Sequence, residues 1–256
     1  MSKIILEMQN VEKHFGGVRA IDNFNVKIEE HRIHGLIGPN GAGKTTIFNN
    51  ITGIYVPDAG HIIFDGQEIT GKKPHEVAAL GIGRTFQNIR LFGNLPVLEN
   101  VITAADYQTP YSLLDTFFYT KKYKQSEKEL KERAMELLEI VGLQDKANER
   151  ANSLPYGHQR KLEIARAMAL KPKLLLLDEP AAGMNAEESL DLVNFVKEIK
   201  EKFQITVLMI EHHMDVVTNL CDYCTVLNFG KTIAVGTPAE VKANPEVIRA
   251  YLGGED

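Results

Sequence analysis

The sequence predicts an α/β fold in which a core containing buried strands carries an antiparallel β layer and an inserted helical segment. Short, predominantly apolar runs at residues 174–177 and 205–210 are typical of strands buried on both faces of a sheet. Amphipathic helical patterns follow or separate such runs, and a glycine-rich turn joins one predicted strand directly to a predicted helix. At 256 residues and 44% hydrophobic content, the chain can form one large domain with a smaller insertion.

The first part of the chain is predicted to be rich in strands. Residues 4–37 alternate short apolar runs with turn residues, which predicts an antiparallel β layer. Residues 33–37 form a strand that runs into the glycine-rich turn. A helix is predicted over residues 45–53, and the pattern returns to a strand over residues 61–65.

The middle of the chain is predicted to be helical. Residues 122–141 carry apolar side chains at helical spacing among many charges, and Gly142 is a typical residue just beyond a helix end. We therefore predict that residues 88–170 form a helical subdomain. Residues 1–87 and 171–256 then form the core, whose second half contains the apolar strands at 174–177 and 205–210 and a helix over 186–203.

Charge and hydropathy exclude several classes of protein. The formal net charge of −5 argues against nucleic-acid binding, which usually requires a basic face. No apolar run approaches the ~18 residues that a membrane-spanning helix needs. The N-terminal segment at residues 3–6, a lysine followed by three apolar residues, is too short for the core of a signal peptide, so we expect a cytoplasmic chain.

The glycine-rich turn fits the phosphate-binding loop pattern, in which a glycine and four further residues precede Gly-Lys-Ser/Thr. Glycines allow backbone N–H groups to face a phosphate, and the following helix directs its N-terminus at the same anion. Lys44 supplies positive charge to the β- and γ-phosphates, and Thr45 offers a hydroxyl to Mg²⁺. The predicted ATP-binding residues of this loop are Gly38, Pro39, Asn40, Gly41, Ala42, Gly43, Lys44, Thr45 and Thr46.

Two acids follow the apolar strand at residues 174–177. Asp178 and Glu179 are expected at the carboxyl edge of the sheet, beside the phosphate loop. Asp178 is predicted to hold Mg²⁺, and Glu179 is predicted to be the catalytic residue that polarises an attacking water. Leucines before an acid also occur in ordinary cores, but together with the phosphate loop they predict an ATPase with a P-loop NTPase core.

With these two motifs, the chain resembles the ATPase subunits of ABC transporters over nearly its whole length, which implies a single ABC ATPase domain spanning residues 1–256. Residues 152–160 resemble the signature motif of that family, and the helical insertion resembles its helical subdomain. The resemblance implies that Gln87 contacts Mg²⁺ and the γ-phosphate and that His212 is the catalytic switch histidine. It also implies that Phe15 stacks on adenine.

The resemblance further implies an ATP-dependent head-to-tail dimer. In that arrangement, ATP bound to one chain meets the signature helix of the other, so that Tyr156, Gly157, His158 and Asn185 contact ATP in trans. A bare glycine at a helix start suits this task, since it leaves backbone N–H groups open to an anion. Two positions depart from the family pattern: Pro155 stands where the family has serine, and Asn185 stands where it has aspartate.

Finer resemblance indicates the larger ATPase of branched-chain amino acid uptake systems, on the segments 16–20, 84–92, 179–185 and 244–253. This implies a second ATPase subunit, two transmembrane permease subunits and an extracytoplasmic substrate-binding protein as partners. It also implies a peripheral location on the cytoplasmic side of the membrane.

Other functions remain open at this point. One is a soluble ABC-type ATPase that acts on ribosomes or DNA, although such proteins usually carry two ATPase domains, coiled-coil insertions or basic surfaces. Another, motivated by Pro155, is an interaction module that binds ATP and barely hydrolyses it. Among transporters, urea uptake and lipopolysaccharide export are the nearest alternatives.

Overall fold

The structure, a computed structural model, describes residues 3–105 and 113–252. The chain divides into two compact units. We call the first, Met1–Arg84 together with Lys173–Asp256, the core unit, and the second, Thr85–Pro172, the helical unit.

All strands of the described residues belong to the core unit. In chain order they are β1 (Ile4–Phe15), β2 (Val18–Glu29), β3 (Ile33–Ile37), β4 (Ala59–Phe64), β5 (Gln67–Glu68), β6 (Ile82–Arg84), β7 (Leu174–Asp178), β8 (Thr206–Ile210), β9 (Tyr223–Asn228) and β10 (Lys231–Gly236). The helices of the described residues are α1 (Lys44–Ile51), α2 (Pro74–Ala79), α3 (Val97–Ala105), α4 (Leu113–Phe117), α5 (Lys121–Ile140), α6 (Tyr156–Met168), α7 (Ala186–Phe203), α8 (Met214–Leu220), α9 (Pro238–Ala243) and α10 (Pro245–Leu252).

The antiparallel layer is a four-stranded sheet in the order β2-β1-β4-β5. β1 and β2 are long neighbouring strands joined by a tight turn, in which Gly16 has a positive φ of 57° that favours glycine. Apolar side chains on the inner face of this sheet, among them Met8, Phe24 and Phe64, are buried in the main hydrophobic cluster. The predicted antiparallel layer is therefore present.

The second sheet has six strands in the order β10-β9-β3-β8-β7-β6. Within the part of the chain that the structure describes, only the β9–β10 pair of this sheet is antiparallel; β3, β6, β7 and β8 pair with their neighbours in parallel. The strand at residues 33–37 was expected near the antiparallel layer but lies at the centre of this parallel sheet. The reason is burial, because all five residues of β3 are covered on both faces.

The register of the parallel strands brings their carboxyl ends to one edge. Leu36 of β3 pairs with Ile210 of β8, which in turn pairs with Asp178 of β7. The loops that follow these three strands therefore begin side by side. This edge places the phosphate loop, the two acids and His212 in one region of the core unit.

The helical unit contains α3, α4, α5 and α6, and α3 packs on both α5 and α6. Its apolar core includes Val97, Val101, Leu138 and Leu162, all of them fully buried. The helix predicted over 122–141 spans Lys121–Ile140, and Gly142, with a φ of 69°, follows its end. Within the described residues, no helix is both long and apolar enough to cross a membrane.

Candidate nucleotide-binding site

The phosphate loop connects β3 to α1 in a backbone conformation that requires glycine. Gly38 has a φ of 147°, and a Cβ atom there would lie 2.1 Å from the carbonyl oxygen of Leu227. Gly43 has a φ of 105°, and a Cβ atom would lie 2.6 Å from the carbonyl oxygen of Ala20. Any side chain at either position would clash with neighbouring backbone, so the loop keeps its shape only with these glycines.

The ammonium group of Lys44 lies inside the phosphate loop. Lys44 is buried, and its Nζ donates to the carbonyl oxygens of Gly38 at 2.7 Å and Pro39 at 2.8 Å. Burial lowers the pKa of Lys44, while the charges of Glu179 and Asp178 oppose that shift. The ammonium group is therefore held where a phosphate group can replace a carbonyl acceptor.

The remaining loop residues leave the helix start open to an anion. Gly43 occupies the N-cap position of α1 and provides no side-chain cap. Apart from its two chain neighbours, no heavy atom of the described residues lies within 4 Å of the position that a Cβ atom on Gly41 would take. Asn40 and Thr45 are exposed, Pro39 and Thr46 are half-buried, and Ala42 is buried. Backbone donors at a helix start beside a lysine fit a polyphosphate, and the exposed Thr45 hydroxyl fits Mg²⁺.

Asp178 ends β7 in a buried ion pair that the sequence did not reveal. The Arg84 guanidinium lies 3.0 Å from its Oδ2 and also donates to Asn49 Oδ1 at 2.8 Å and to Thr52 Oγ1 at 3.1 Å. Arg84 thereby connects the acid to α1, the helix that follows the phosphate loop. The feature of the sequence that could have indicated this ion pair is the position of Arg84, a charged residue at the end of a short strand.

Glu179 has a backbone conformation that is rare for a residue with a side chain. Its φ is 47°, and its N–H donates to the carbonyl oxygen of Ile210 at 3.0 Å. Its Oε2 lies 3.9 Å from Nδ1 of the half-exposed His212. Such conformations cost about 1–3 kcal/mol and concentrate at functional sites. The structure thus brings Lys44, Asp178, Glu179 and His212 to the same sheet edge.

Glu211 fastens two loops of this edge to each other. Its fully buried carboxylate accepts the N–H of Ala181 at 3.0 Å, beyond β7, and the N–H groups of His212 and His213 at 3.0 and 3.2 Å. His213 Nδ1 lies 3.2 Å from the same carboxylate. The sequence analysis did not predict a role for Glu211. The feature that could have indicated it is an acidic residue directly after a buried strand.

Phe15 stands at the end of β1, partly exposed. Its ring packs edge-on against Tyr55 at 5.1 Å between centroids, and Lys13 Nζ lies 5.6 Å from its centroid. Ala20, five residues further along the same hairpin, approaches Gly43 of the phosphate loop. The available aromatic face of Phe15 is therefore on a hairpin that also contacts the loop.

In the helical unit, α6 begins without a side-chain cap. Pro155 is the N-cap residue, one position before the first helical turn; its side chain offers no hydrogen-bond acceptor, and its carbonyl oxygen accepts the N–H of Gln159 at 3.0 Å. Among the described residues, apart from its chain neighbours and the backbone of its own helix, no heavy atom lies within 4 Å of the position that a Cβ atom on Gly157 would take. Tyr156 is exposed, whereas His158 Nδ1 is buried with no hydrogen-bond partner among the described residues. Burial lowers the pKa of His158, so the neutral imidazole is favoured.

The backbone at Gln87 is fixed to this helix by Arg160. The fully buried Arg160 donates to the carbonyl oxygens of Phe86 at 2.8 Å and Gln87 at 2.9 Å, and pairs with Glu163 at 2.8 Å. Glu163 in turn accepts the N–H groups of Phe86 and Arg90. Burial raises the pKa of Glu163, with Arg160 opposing the shift. Gln87 itself is exposed.

Asn185 caps a helix of the core unit. It is the N-cap residue of α7, and its side chain accepts the N–H of Glu188 at 3.0 Å, while the Glu188 carboxylate accepts the N–H of Asn185 at 2.9 Å. The asparagine thus has a structural task within its own chain, beside the contact in trans that the resemblance implies.

Comparison with known proteins gives consistent results. The family described as ABC transporter matches residues 21–182, and the family described as branched-chain amino acid ATP-binding cassette transporter matches residues 231–256. The chain is 45% identical to the high-affinity branched-chain amino acid transport ATP-binding protein BraF of Pseudomonas aeruginosa, over 99% of each chain.

Solved structures agree with the sequence matches. The ADP conformation of MJ1267, an ATP-binding cassette of an ABC transporter, superposes with a TM-score of 0.86 at 35% identity, over 98% of this chain and 100% of that one. A dimeric post-hydrolysis state of the cassette MJ0796, bound to ADP and Pi, gives a TM-score of 0.77 at 25% identity, over 91% and 99%.

Proposed function

Because the chain belongs to the ABC transporter family of ATP-binding subunits, we propose that it hydrolyses ATP at the sheet edge to drive uptake of branched-chain amino acids. The observation that carries the catalytic part is the gathering of Lys44, Asp178, Glu179 and His212 behind β3, β7 and β8. The solute rests on the names of relatives such as BraF and on the match of residues 231–256.

We assign the binding of phosphate, adenine and Mg²⁺ to different residues of the site. Lys44 and the N-terminus of α1 bind the phosphates, and Phe15 offers a ring to adenine. Thr45 and Asp178 would hold Mg²⁺, which neutralises charge on the phosphates when bound. For Asp178 to bind the ion, the Arg84 guanidinium has to share or release its carboxylate. The assignment of Gln87 to Mg²⁺ stays a prediction from the resemblance.

Glu179 is the residue we assign to the attacking water. A carboxylate there can orient the water and accept its proton, and His212, 3.9 Å away, can support the same proton transfer or contact the γ-phosphate. The strained backbone of Glu179 and its bond to Ile210 hold the carboxylate at this edge. Its position directly after Asp178 and 3.9 Å from His212 favours a catalytic over a purely structural acid.

The proposed partners are those that the family resemblance implies. We propose that the chain pairs head to tail with a second ATPase subunit. In this pair, ATP bound to one subunit is approached by four residues of the other: Tyr156, Gly157, His158 and Asn185. The open start of α6 supports this, since it offers uncapped backbone N–H groups to an anion. Two permease subunits, an extracytoplasmic binding protein and a peripheral location on the cytoplasmic side complete the proposal.

Two substitutions test the catalytic assignment in the purified transporter. Glu179→Gln should retain ATP binding and lose turnover by ~10²-fold or more, because the amide cannot accept a proton. Lys44→Ala should weaken nucleotide binding by about 2 kcal/mol, because a charge-assisted contact is lost. Glu187→Gln, an exposed change on α7, is the matched control and should leave both quantities unaltered. Normal turnover in Glu179→Gln would refute the role of that residue.

A transport assay in vesicles tests the solute. Uptake of leucine, isoleucine or valine that requires ATP and disappears in Glu179→Gln would support the proposed substrate class. ATP-dependent uptake of urea alone would leave the ATPase assignment intact and overturn the solute.

A further inference from the structure

The helical unit presents three large aromatic side chains to solvent in a row. Phe117, Phe118 and Tyr119, which we call the aromatic tip, are 77%, 70% and 67% exposed. They end α4 and form the turn before α5. Leaving this much aromatic surface in water is unfavourable, so consecutive exposed aromatics indicate a surface that is covered in use.

The aromatic tip is held in place by hydrogen bonds on both sides. Thr120 caps α5 by accepting the N–H of Tyr123 at 3.2 Å, and its own N–H and hydroxyl both donate to Asp115, at 3.1 and 3.0 Å. The N–H of Tyr119 donates to the carbonyl oxygen of Thr116 at 3.3 Å. Tyr119 adopts a φ of 48°, which turns the chain sharply. The exposure is therefore a property of a defined turn.

Positive charge follows the aromatic tip immediately. Lys121, Lys122 and Lys124 are exposed, and none of them forms an ion pair with another described residue. They stand in the first turn of α5, which contains no acid. Cations at a helix N-terminus are opposed by the helix dipole, so these lysines weaken the isolated helix. An anionic partner would offset that cost.

We propose that the aromatic tip and the three lysines bind the headgroup region of an anionic phospholipid bilayer. Aromatic rings partition into the interface between headgroups and acyl chains, and lysines bind lipid phosphates from its aqueous side. The order along the chain, aromatic turn first and lysines on the next helical turn, matches those two layers.

The exposed lysines beside the aromatic tip favour an anionic bilayer as its partner. The rings of Phe117 and Phe118 stand at 86° to each other, 5.1 Å apart, and the ring of Tyr119 packs at 86° against Tyr123. A fluid interface accepts rings in any orientation. This inference does not depend on the proposed solute or on ATP hydrolysis.

Vesicle cosedimentation of the full chain tests the proposal. We expect binding to vesicles of phosphatidylcholine with 30% phosphatidylglycerol, about tenfold or more above binding to pure phosphatidylcholine, because each lysine near an anionic surface contributes about fivefold. Binding should fall when salt rises from about 0.1 to 0.5 M, as charge screening requires. No preference for the anionic vesicles would overturn the proposal.

Substitutions separate the aromatic and basic contributions. We expect two double variants each to reduce binding to anionic vesicles by roughly tenfold or more. One carries Phe117→Ser and Phe118→Ser, and the other carries Lys121→Glu and Lys122→Glu. Two matched controls should retain binding. The aromatic control is Phe229→Ser, at a similarly exposed phenylalanine of the core unit, and the basic control is the double variant Lys197→Glu and Lys202→Glu on α7. All variants should keep solution ATPase activity, which monitors folding. Equal losses in the controls would mean nonspecific adhesion and refute the proposal.

A fluorescent reporter locates the contact in the assembled transporter. The chain contains no tryptophan, so Phe118→Trp introduces a single one into this subunit. In a complex whose other subunits lack tryptophan, reconstituted with brominated lipids, its emission should be quenched about twofold or more, while Phe229→Trp should be insensitive. Absence of quenching, with loss of permease copurification in Phe117→Ser, Phe118→Ser, would show a protein partner and overturn the bilayer assignment.

Discussion

Glu211 shows at the residue scale how a side chain without a chemical step can decide the geometry of a site. Its carboxylate is fully buried and accepts N–H groups from the loops after β7 and β8. Those loops carry Glu179 and His212. A single acid thereby fixes the relative position of the two residues that we assign to proton transfer.

Replacing that acid should affect turnover more than binding. In Glu211→Gln, one carboxylate oxygen becomes an NH₂ group that faces backbone donors, so the loops lose an acceptor and separate. We expect kcat to fall by about tenfold or more, while ATP affinity stays within about threefold, and stability to fall by about 1–3 kcal/mol. Steady-state kinetics and urea unfolding measure these effects. Glu198→Gln, exposed on α7, is the control; an unchanged kcat in Glu211→Gln would remove Glu211 from the site.

At the element scale, β3 combines the core of the sheet with the phosphate loop. All of its residues are buried, including His34, whose Nε2 lies 2.8 Å from Thr225 Oγ1 of β9. Burial lowers the pKa of His34 from 6.5 to about 4. The strand therefore contains a histidine whose protonation destabilises the folded chain.

This histidine predicts an acid sensitivity with a defined sign. As the pH falls, His34 of the unfolded chain binds a proton before His34 of the folded chain does. The contribution of the neutral His34 to the free energy of unfolding is therefore fully present above about pH 6.5 and is lost as the pH falls toward 4. The total loss is about 3 kcal/mol for a shift of this size. Urea unfolding at several pH values should show a shallower dependence in His34→Gln than in the wild type. Parallel pH profiles would mean that His34 is already solvated in the folded chain.

At the scale of the whole molecule, the candidate residues fall into two units. The core unit holds the phosphate loop and both acids, and the helical unit holds the open start of α6. A head-to-tail pair of ATPase subunits would join the core unit of one to the helical unit of the other. In such a pair, Pro155 affects ATP bound by the partner subunit.

The pair is therefore expected to be asymmetric. A serine in place of Pro155 could donate one hydrogen bond to the γ-phosphate, typically ~1–3 kcal/mol to a charged acceptor. If the second ATPase carries that serine, the complete site is built on this chain's Lys44 and Glu179. Glu179→Gln here should then abolish more activity than the matching change in the partner.

Separate substitutions in the purified transporter measure the asymmetry. Equal losses of ATP turnover would argue against it. Pro155→Ser in this chain should raise hydrolysis at the partner's nucleotide, provided that α6 still begins at Tyr156. No change in turnover would mean that the backbone N–H groups and Gly157 suffice.

The sequence alone determined the local features of the site. The glycines and Lys44 of the phosphate loop, the acids after residues 174–177 and the helix over 186–203 were all legible, because turn chemistry and apolar periodicity act over a few neighbouring residues. The α/β class and the family followed from the order of these motifs. Arg160 and Glu163 lay within the predicted helical subdomain, yet nothing local distinguished them from surface charges.

Only the tertiary structure decided which distant residues meet. It placed β3 in the parallel sheet between β8 and β9, paired Arg84 with Asp178, and buried Glu211 between two loops. It also fixed Arg160 to the carbonyl oxygens of Phe86 and Gln87 and left the aromatic tip uncovered. These contacts span many residues of sequence, and they follow from the burial of polar groups that must find partners inside the fold. No local pattern encodes that requirement, since the partner of a buried charge is chosen by the packing of whole elements.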